Sequence, residues 1–324
     1  MSLTTRVMRH WYQDSLTPLT ALLLPLSVLF ATAVKIRRKL YRTGIKKTFV
    51  ADVPVIVVGN LTVGGTGKTP VVIWLAEYFR KKGFNPGIVA RGVGGHEKKE
   101  PRRVFADSDV KEMGDEAVLL AGRTNCPVVI GVDRVAAVRE LLSLGCDLIL
   151  SDDGLQHYAL GRTFEIALLD SERMLGNGRF LPAGPLRESA SRLAEVNCVW
   201  VKGKDFVLKG ETLHALSGRE QKALQDFVGQ KIHAIAGTGN PSGFFAMLRK
   251  SGLDIVEHVF PDHYIYQKND IFFDDGLPVI MTEKDAVKCH DFADGGHWYL
   301  PVTVHAGEKM LIDMEKKSWK NFQN

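Results

Sequence analysis

VPVIVVGNLTVGGTGKTP, residues 53–70, sets an apolar strand directly against a glycine-rich turn that closes on Gly67-Lys68-Thr69. Glycines let backbone N–H groups approach a polyphosphate. A lysine at this place reaches the outer phosphate oxygens, and a threonine hydroxyl at the start of the following helix is a Mg²⁺ ligand. The strict pattern has glycine five residues before Gly67. Thr62 stands there instead, so the match lies in the GK[ST] core with Gly64 and Gly65 added. Strand, loop and helix follow in the order a nucleotide-binding crossover requires. That order assigns Thr62, Val63, Gly64, Gly65, Thr66, Gly67, Lys68 and Thr69 to a phosphate cradle for ATP.

Outward from this stretch the chain alternates strand and helix, the pattern of an α/β fold: a P-loop NTPase-like, mostly parallel sheet with helices on both faces. Strands are expected at Val53–Gly59, Gly87–Ala90, Val128–Gly131, Cys146–Leu150, Glu165–Asp170 and Cys198–Lys202. Val72, Leu75, Ala76 and Phe79 recur at helical spacing over Thr69–Lys82, and Val135, Val138, Leu141 and Leu142 do so over Arg134–Leu144. The polar stretch Gly203–Gln230 reads as a domain boundary. A second, smaller α/β domain then runs through a strand at Ile232–Ala236, a Pro241-initiated helix to Lys250, and strands near Ile255–Val259, Pro278–Met281 and Trp298–Val304. The resulting division is an N-terminal membrane-associating segment over 1–48, a P-loop core over 49–225 and the smaller domain over 226–324.

Charge separates the first segment from the rest. The chain carries +5 in all, but residues 1–50 hold nine Lys/Arg against Asp14, a net of +8, which leaves the other 274 residues at −3. Basicity confined to one end argues against a nucleic-acid-binding body and for a segment that meets an anionic membrane surface. Ser15–Val34 has no charge and is followed by Lys35, Arg37, Arg38, Lys39, Arg42, Lys46 and Lys47. As one helix the run would reach about 30 Å. Pro25 is expected to interrupt it, however. Thr20 and Ser27 form a polar stripe broadly opposite Leu19, Leu22, Leu23, Leu26, Leu29 and Phe30, so a helix lying in the interface fits better than one spanning it. The basic cluster leaves the following domain on the cytoplasmic side, with no cleavage site for secretion. The four cysteines are scattered without a CxxC pair and read as buried thiols.

Cys146–Leu150 ends in Ser151-Asp152-Asp153, an apolar strand tipped with carboxylates that can hold the Mg²⁺ bridging two phosphates. The loop Val63–Thr69 is close to that of partitioning ATPases, some of which bind membranes, but Val63 replaces their signature lysine. A guanine-recognition Asn-Lys-x-Asp is absent, and Lys284 and Asp285 in Thr-Glu-Lys-Asp have the wrong spacing. The residues alone thus leave open a membrane-binding ATPase switch, a kinase of a soluble metabolite, and a kinase with a membrane-resident acceptor.

Longer strings narrow the choice. Gly59-Asn60 with Gly64–Pro70, Ala90-Arg91-Gly92, Gly114-Asp115-Glu116, Asp152-Asp153-Gly154-Leu155-Gln156-His157, Asn177-Gly178, Leu181–Glu188 (LPAGPLRE), Phe244-Phe245, Asp262-His263 and Met281–Lys288 (MTEKDAVK) together resemble the tetraacyldisaccharide 4'-kinase family of lipid A biosynthesis. The resemblance runs over nearly the whole chain. It implies ATP- and Mg²⁺-dependent phosphorylation of the 4'-hydroxyl of an acylated glucosamine disaccharide 1-phosphate, at the cytoplasmic face of the bacterial inner membrane and without an obligate protein partner. It also implies that Asp115 is the base, paired with His263 from the second domain, with Lys68 neutralising the phosphate. Thr69, Asp152, Asp153 and Glu116 are then the candidate metal ligands, while Arg91, Gln156, His157, Arg187 and Arg192 are candidates for the phosphate or acceptor site. Two positions depart from the family pattern: Val93 stands where tyrosine usually follows Arg91-Gly92, and Thr163 where aspartate usually follows Arg162.

Overall fold

A computed structural model describes residues 10–13, 17–96 and 100–315 of the chain. The ends of the expected first and last segments, including Ser15 and Leu16 of the apolar run, lie outside the described residues. Strand β1 (Val55–Gly59) occupies the centre of a nine-stranded sheet, and its five residues are all buried. The reason is its run of β-branched residues without polar alternation. Ile56 and Val58 pack on one face with Val71, Val72, Leu75 and Phe79 of the Lys68–Lys81 helix. Val55 and Val57 pack on the other with Val138 and Leu141 of the Arg134–Ser143 helix. A strand covered on both sides in this way cannot tolerate a register slip toward solvent.

The parallel partners of β1 are β5 (Leu148–Asp152) and β6 (Phe164–Asp170). Beyond β5 lie β2 (Pro86–Ala90), β4 (Val128–Ile130) and the antiparallel edge strand β3 (Arg102–Val104). Beyond β6 lie β7 (Cys198–Lys202) and β8 (Phe206–Lys209). The carboxyl ends of β1, β5, β6 and β2 therefore open on one rim, where the glycine-rich turn, Asp152-Asp153, Ser171–Met174 and Arg91–Gly95 are carried side by side. Ligands of open α/β sheets bind at such a rim.

The second sheet has the order β10-β9-β14-β13-β11-β12. Its parallel strands are β11 (Lys231–Ala236), β12 (Asp254–Val259), β13 (Val279–Thr282) and β14 (His297–Leu300). Two features differ from the division at 225/226. The smaller sheet already begins at β9 (Thr212–Ala215) and β10 (Gln221–Ala223), which pair antiparallel at its edge. The strand expected over Trp298–Val304 is broken at Pro301, and its second half, β15 (Thr303–Ala306), returns to the large sheet as the antiparallel partner of β8. A proline lacks the N–H that a ladder needs, so the chain leaves one sheet there and covers the edge of the other. Trp200 of β7 is fully buried and donates its indole N–H to Asp313 in the following helix at 3.0 Å, which fastens the returning segment.

The N-terminal helix spans Pro18–Arg42 without a break. Thr17 caps it, with Thr20 N–H donating to its hydroxyl at 3.3 Å and Pro18 at the first helical position. Pro25, expected to interrupt the run, sits on the exposed side and forfeits one backbone bond without ending the helix. Thr20 and Ser27 face the body of the protein, and Ser27 donates to the Phe180 carbonyl at 2.7 Å. Leu22, Leu26, Val28 and Leu29 stand exposed, Leu22 at 76%. The helix is long and apolar enough to cross a membrane by length and composition.

Candidate active site

The phosphate cradle is shaped by what holds its two ends. Thr62, the departure from the glycine pattern, forms an isolated antiparallel bridge with Leu186, and the Val63 N–H donates to the Pro185 carbonyl at 2.9 Å. That amide is already engaged, although Thr62 and Val63 both line the cleft. Gly64 and Gly67 hold positive φ of 117° and 84°, which the turn requires. Asn60, fully buried, braces it from below: its amide donates to Gly64 O at 3.2 Å and its carbonyl oxygen accepts from Lys68 Nζ at 3.3 Å.

The tip of β5 stands next to the cradle. Asp153 adopts φ +47° and accepts a two-pronged bond from Arg187, Nη1 to Oδ2 at 2.9 Å and Nη2 to Oδ1 at 2.8 Å, with Lys68 Nζ at 3.7 Å. Burial opposes its ionisation, but Lys68 and Arg187 outweigh it and hold the carboxyl well below the usual range. Asp152 is the reverse case. Burial and the nearby Glu116 charge push it up to about 7, and its Oδ1 is buried without a hydrogen-bond partner. A buried oxygen in that state fits a cation. Thr69, Glu116 and Asp153 line the cleft immediately above, completing a set of hard oxygen donors suited to Mg²⁺. Among the described residues no group of three or more His, Cys, Asp or Glu forms a metal cage. Mg²⁺ sites that rely on one or two carboxylates and substrate phosphates need none.

Asp115 and His263 come from the units built on the two different sheets and meet. Asp115 opens the Asp115–Thr124 helix and is 2% exposed, while His263 follows β12 with φ +60°. His263 Nδ1 lies 2.9 Å from Asp115 Oδ1 and 3.2 Å from Oδ2. Lys288 Nζ lies 3.6 Å and Lys284 Nζ 3.9 Å from Oδ2. Burial resists the Asp115 charge, but the His263 hydrogen bond and the two lysines overcome it and lower the carboxyl below its ordinary value. The same hydrogen bond, against burial, holds the imidazole above its ordinary value. Lys284 also bonds Glu116 at 3.0 Å and Asp262 at 2.8 Å, tying the two sheets together.

A cleft of about 660 Å³ joins these parts, with Gly64–Thr69, Glu116, Asp153, Arg187, His263 and Lys284 on its walls. Apolar side chains, among them Ile73, Leu119, Leu208, Phe244, Met247 and Leu300, also line it, as burying a flat heterocycle requires. Asp115 itself faces a neighbouring cavity of about 500 Å³, and His263 forms the wall between the two.

The remaining candidates are placed as follows. Gln156 bridges the Asn60 carbonyl at 3.1 Å and Glu188 at 3.0 Å, so it braces the cradle. Burial and the charges of Arg134, Arg37 and Arg162 push His157 down to about 4, leaving it neutral. Arg91 is exposed just beyond β2. Arg187 is committed to Asp153 and Asn60. Arg192 is a correction: it is 4% exposed and engaged with Glu165 and Glu188, so it cannot meet a ligand phosphate. Thr163, at the second departure, bonds the Val55 N–H through its hydroxyl at 3.2 Å. Val93 lines the cleft and is exposed. Asn60, Asp262 and Lys284 were not singled out as site residues from the sequence. Their signal lay in strings already noticed, Gly59-Asn60, Asp262-His263 and MTEKDAVK, whose chemistry depends on contacts distant in sequence.

Comparison with known proteins adds the following. A family model described as tetraacyldisaccharide-1-P 4'-kinase matches residues 19–317. A tetraacyldisaccharide 4'-kinase of Nitrosococcus oceani is 50% identical over 305 residues, covering 92% of this chain and 90% of that protein. One from Halorhodospira halophila is 49% identical over 303 residues, covering 92% of each. A crystal structure of LpxK from Aquifex aeolicus in complex with ATP has a TM-score of 0.78 at 28% identity, covering 94% of this chain and 99% of that one.

Proposed function

We propose that this chain, which belongs to the tetraacyldisaccharide-1-P 4'-kinase family, transfers the γ-phosphate of ATP to the 4'-hydroxyl of a tetraacyldisaccharide 1-phosphate in lipid A biosynthesis. The observation that carries the reading is the 2.9 Å contact between Asp115 and His263, the latter lining the same cleft as the phosphate cradle.

A sugar hydroxyl is a weak nucleophile at neutral pH. It needs alignment with the γ-phosphate, a place for its proton and neutralisation of the charge that moves. The N–H groups of Gly64–Thr69 and the Lys68 ammonium supply neutralisation. Thr69, Asp152, Asp153 and Glu116 would hold Mg²⁺, which when bound neutralises phosphate oxygens. Asp115 accepts the proton of the hydroxyl, and His263 fixes the orientation of the carboxylate. Lys288 and Lys284 keep Asp115 ionised, so it is ready to accept. Because the dyad is built from both sheets, it is complete only when they are closed on one another, which limits transfer to water.

The acceptor's acyl chains lie in a membrane, and the Pro18–Arg42 helix is the part of the chain suited to meet it. Its exposed leucines enter the interface, and Lys35, Arg37, Lys39 and Arg42 face anionic headgroups at the cytoplasmic surface. To test the function, purified protein is incubated with Mg-ATP and tetraacyldisaccharide 1-phosphate in detergent micelles, and the lipid is analysed by mass spectrometry. One added phosphate on the non-reducing sugar is expected. ATP hydrolysis without a phosphorylated lipid would support an ATPase switch instead.

A further inference from the structure

We infer that Arg173 is a positioning residue that clamps the Gly239–Asn240 turn of the smaller sheet onto the phosphate cradle and thereby sets nucleotide affinity. The inference rests on the reading above only in taking ATP as the ligand.

The turn Ser171–Met174 follows β6, the neighbour of β1, and so stands beside the cradle that follows β1. It is tightly wound: the Met174 N–H donates to Asp170 O at 2.7 Å, and Met174 takes φ +41°. From it Arg173 crosses to the other sheet, donating from Nη1 to Gly239 O at 3.2 Å and from Nη2 to Asn240 Oδ1 at 2.7 Å. The two prongs of one planar group therefore hold a carbonyl and the adjacent side chain, which fixes position and angle together. The Tyr12 ring lies 5.4 Å from the guanidinium and supports it.

The clamped turn lies directly against the cradle. A Cβ on Gly239 would stand 2.9 Å from Gly65 N, and one on Gly65 would stand 3.5 Å from Asn240 N. Only glycine at 239 permits that approach. Arg173 Nη1 is itself 3.5 Å from the place of a Cβ on Gly64, yet the residue does not line the cleft. It acts on the nucleotide through the turn. Both acceptors of its bonds are neutral, and the carboxylate of Asp170 nearby is paired with Lys202 at 3.0 Å. The clamp therefore leaves positive charge behind a loop built for a polyanion.

The test uses the full-length chain in detergent micelles, with a fluorescent ATP analogue titrated against the wild type, Arg173→Ala, Arg173→Lys, Asn240→Ala and the Arg173→Ala/Asn240→Ala double variant. Losing a charged, two-pronged bond is expected to weaken binding about tenfold in Arg173→Ala and about threefold in Asn240→Ala. The double variant should be no weaker than Arg173→Ala, because both changes release the same turn. Turnover at saturating ATP should stay within about twofold, a KM-against-kcat split that general destabilisation would not produce. Arg173→Lys keeps the charge but not the fork, and should remain at least about threefold weaker than wild type. Wild-type affinity in Arg173→Lys would overturn the clamp in favour of charge alone, as would multiplying effects in the double variant or an unchanged Arg173→Ala. If Arg173→Ala does not fold, Arg173→Lys and Asn240→Ala still decide the matter. A wild type that binds nucleotide but transfers nothing would overturn the proposed acceptor, while the clamp stands or falls on these affinities.

Discussion

At the scale of single residues, the sequence identified the chemistry more readily than the contacts. Asp115 and His263 are 148 positions apart, and nothing in either local string shows that Nδ1 and Oδ1 stand 2.9 Å from one another. Their pairing has a signed consequence. The imidazole is held above its unfolded value of 6.5, so its contribution to stability is complete below that pH and declines as pH rises through the higher folded value. The difference in urea unfolding free energy between wild type and His263→Gln is therefore expected to shrink from pH 6 to pH 9. A difference that grew with pH would contradict the charged pair. Thr62 gives a second case. It stands in place of a motif glycine with its side chain buried beside the backbone bridge to Leu186, so Thr62→Gly restores the motif while loosening the loop. The expected result is a loss of about 0.5–1 kcal/mol in chemical denaturation with no gain in ATP affinity.

Among the elements, those with two buried faces were the most legible. β1 and β2 are apolar throughout, β5 and β6 are apolar apart from Ser151-Asp152, Glu165 and Asp170, and the helices over Lys68–Lys81 and Arg134–Ser143 carry apolar residues at helical spacing. Hydrophobic periodicity alone therefore placed them within a residue or two. Pro301 was harder to read, because an apolar run on both sides of it reads as one strand until the two halves are seen in different sheets. Pro25 misled in the opposite sense: on an exposed helix face it removes a bond without ending the helix. That face is where the element's own test belongs. Replacing Leu22, Leu26 and Leu29 together with glutamine should cut binding to anionic vesicles by at least about tenfold in a flotation assay, since each removes an exposed apolar side chain that the interface would bury. The melting temperature should hardly move. Unchanged flotation would remove this helix from membrane binding.

For the whole molecule, the decisive arrangement is the seam between the sheets. The Asp115–Thr124 helix meets the segment Thr282–Lys288 along its length: Asp115 with Lys288, Glu116 with Lys284, and Arg123 with Glu283 at 2.6 Å. Sequence reading supplied two α/β units and picked out the MTEKDAVK string, but not the contacts that string makes. It could not supply the return of β15 to the large sheet, because antiparallel edge pairing leaves no periodic trace distinct from any other short strand. The seam brings the phosphate cradle and His263 onto one cleft with Asp115 directly behind the imidazole, and the account stands on cradle and dyad acting as donor side and base of a single transfer. The most direct measurement is single-turnover phosphorylation of the acylated disaccharide by wild type and Asp115→Asn, with ATP affinity measured on the same preparations. Asp115→Asn is expected to bind ATP within about threefold of wild type and to transfer phosphate at least about 100-fold more slowly. Transfer by Asp115→Asn at close to the wild-type rate would contradict it.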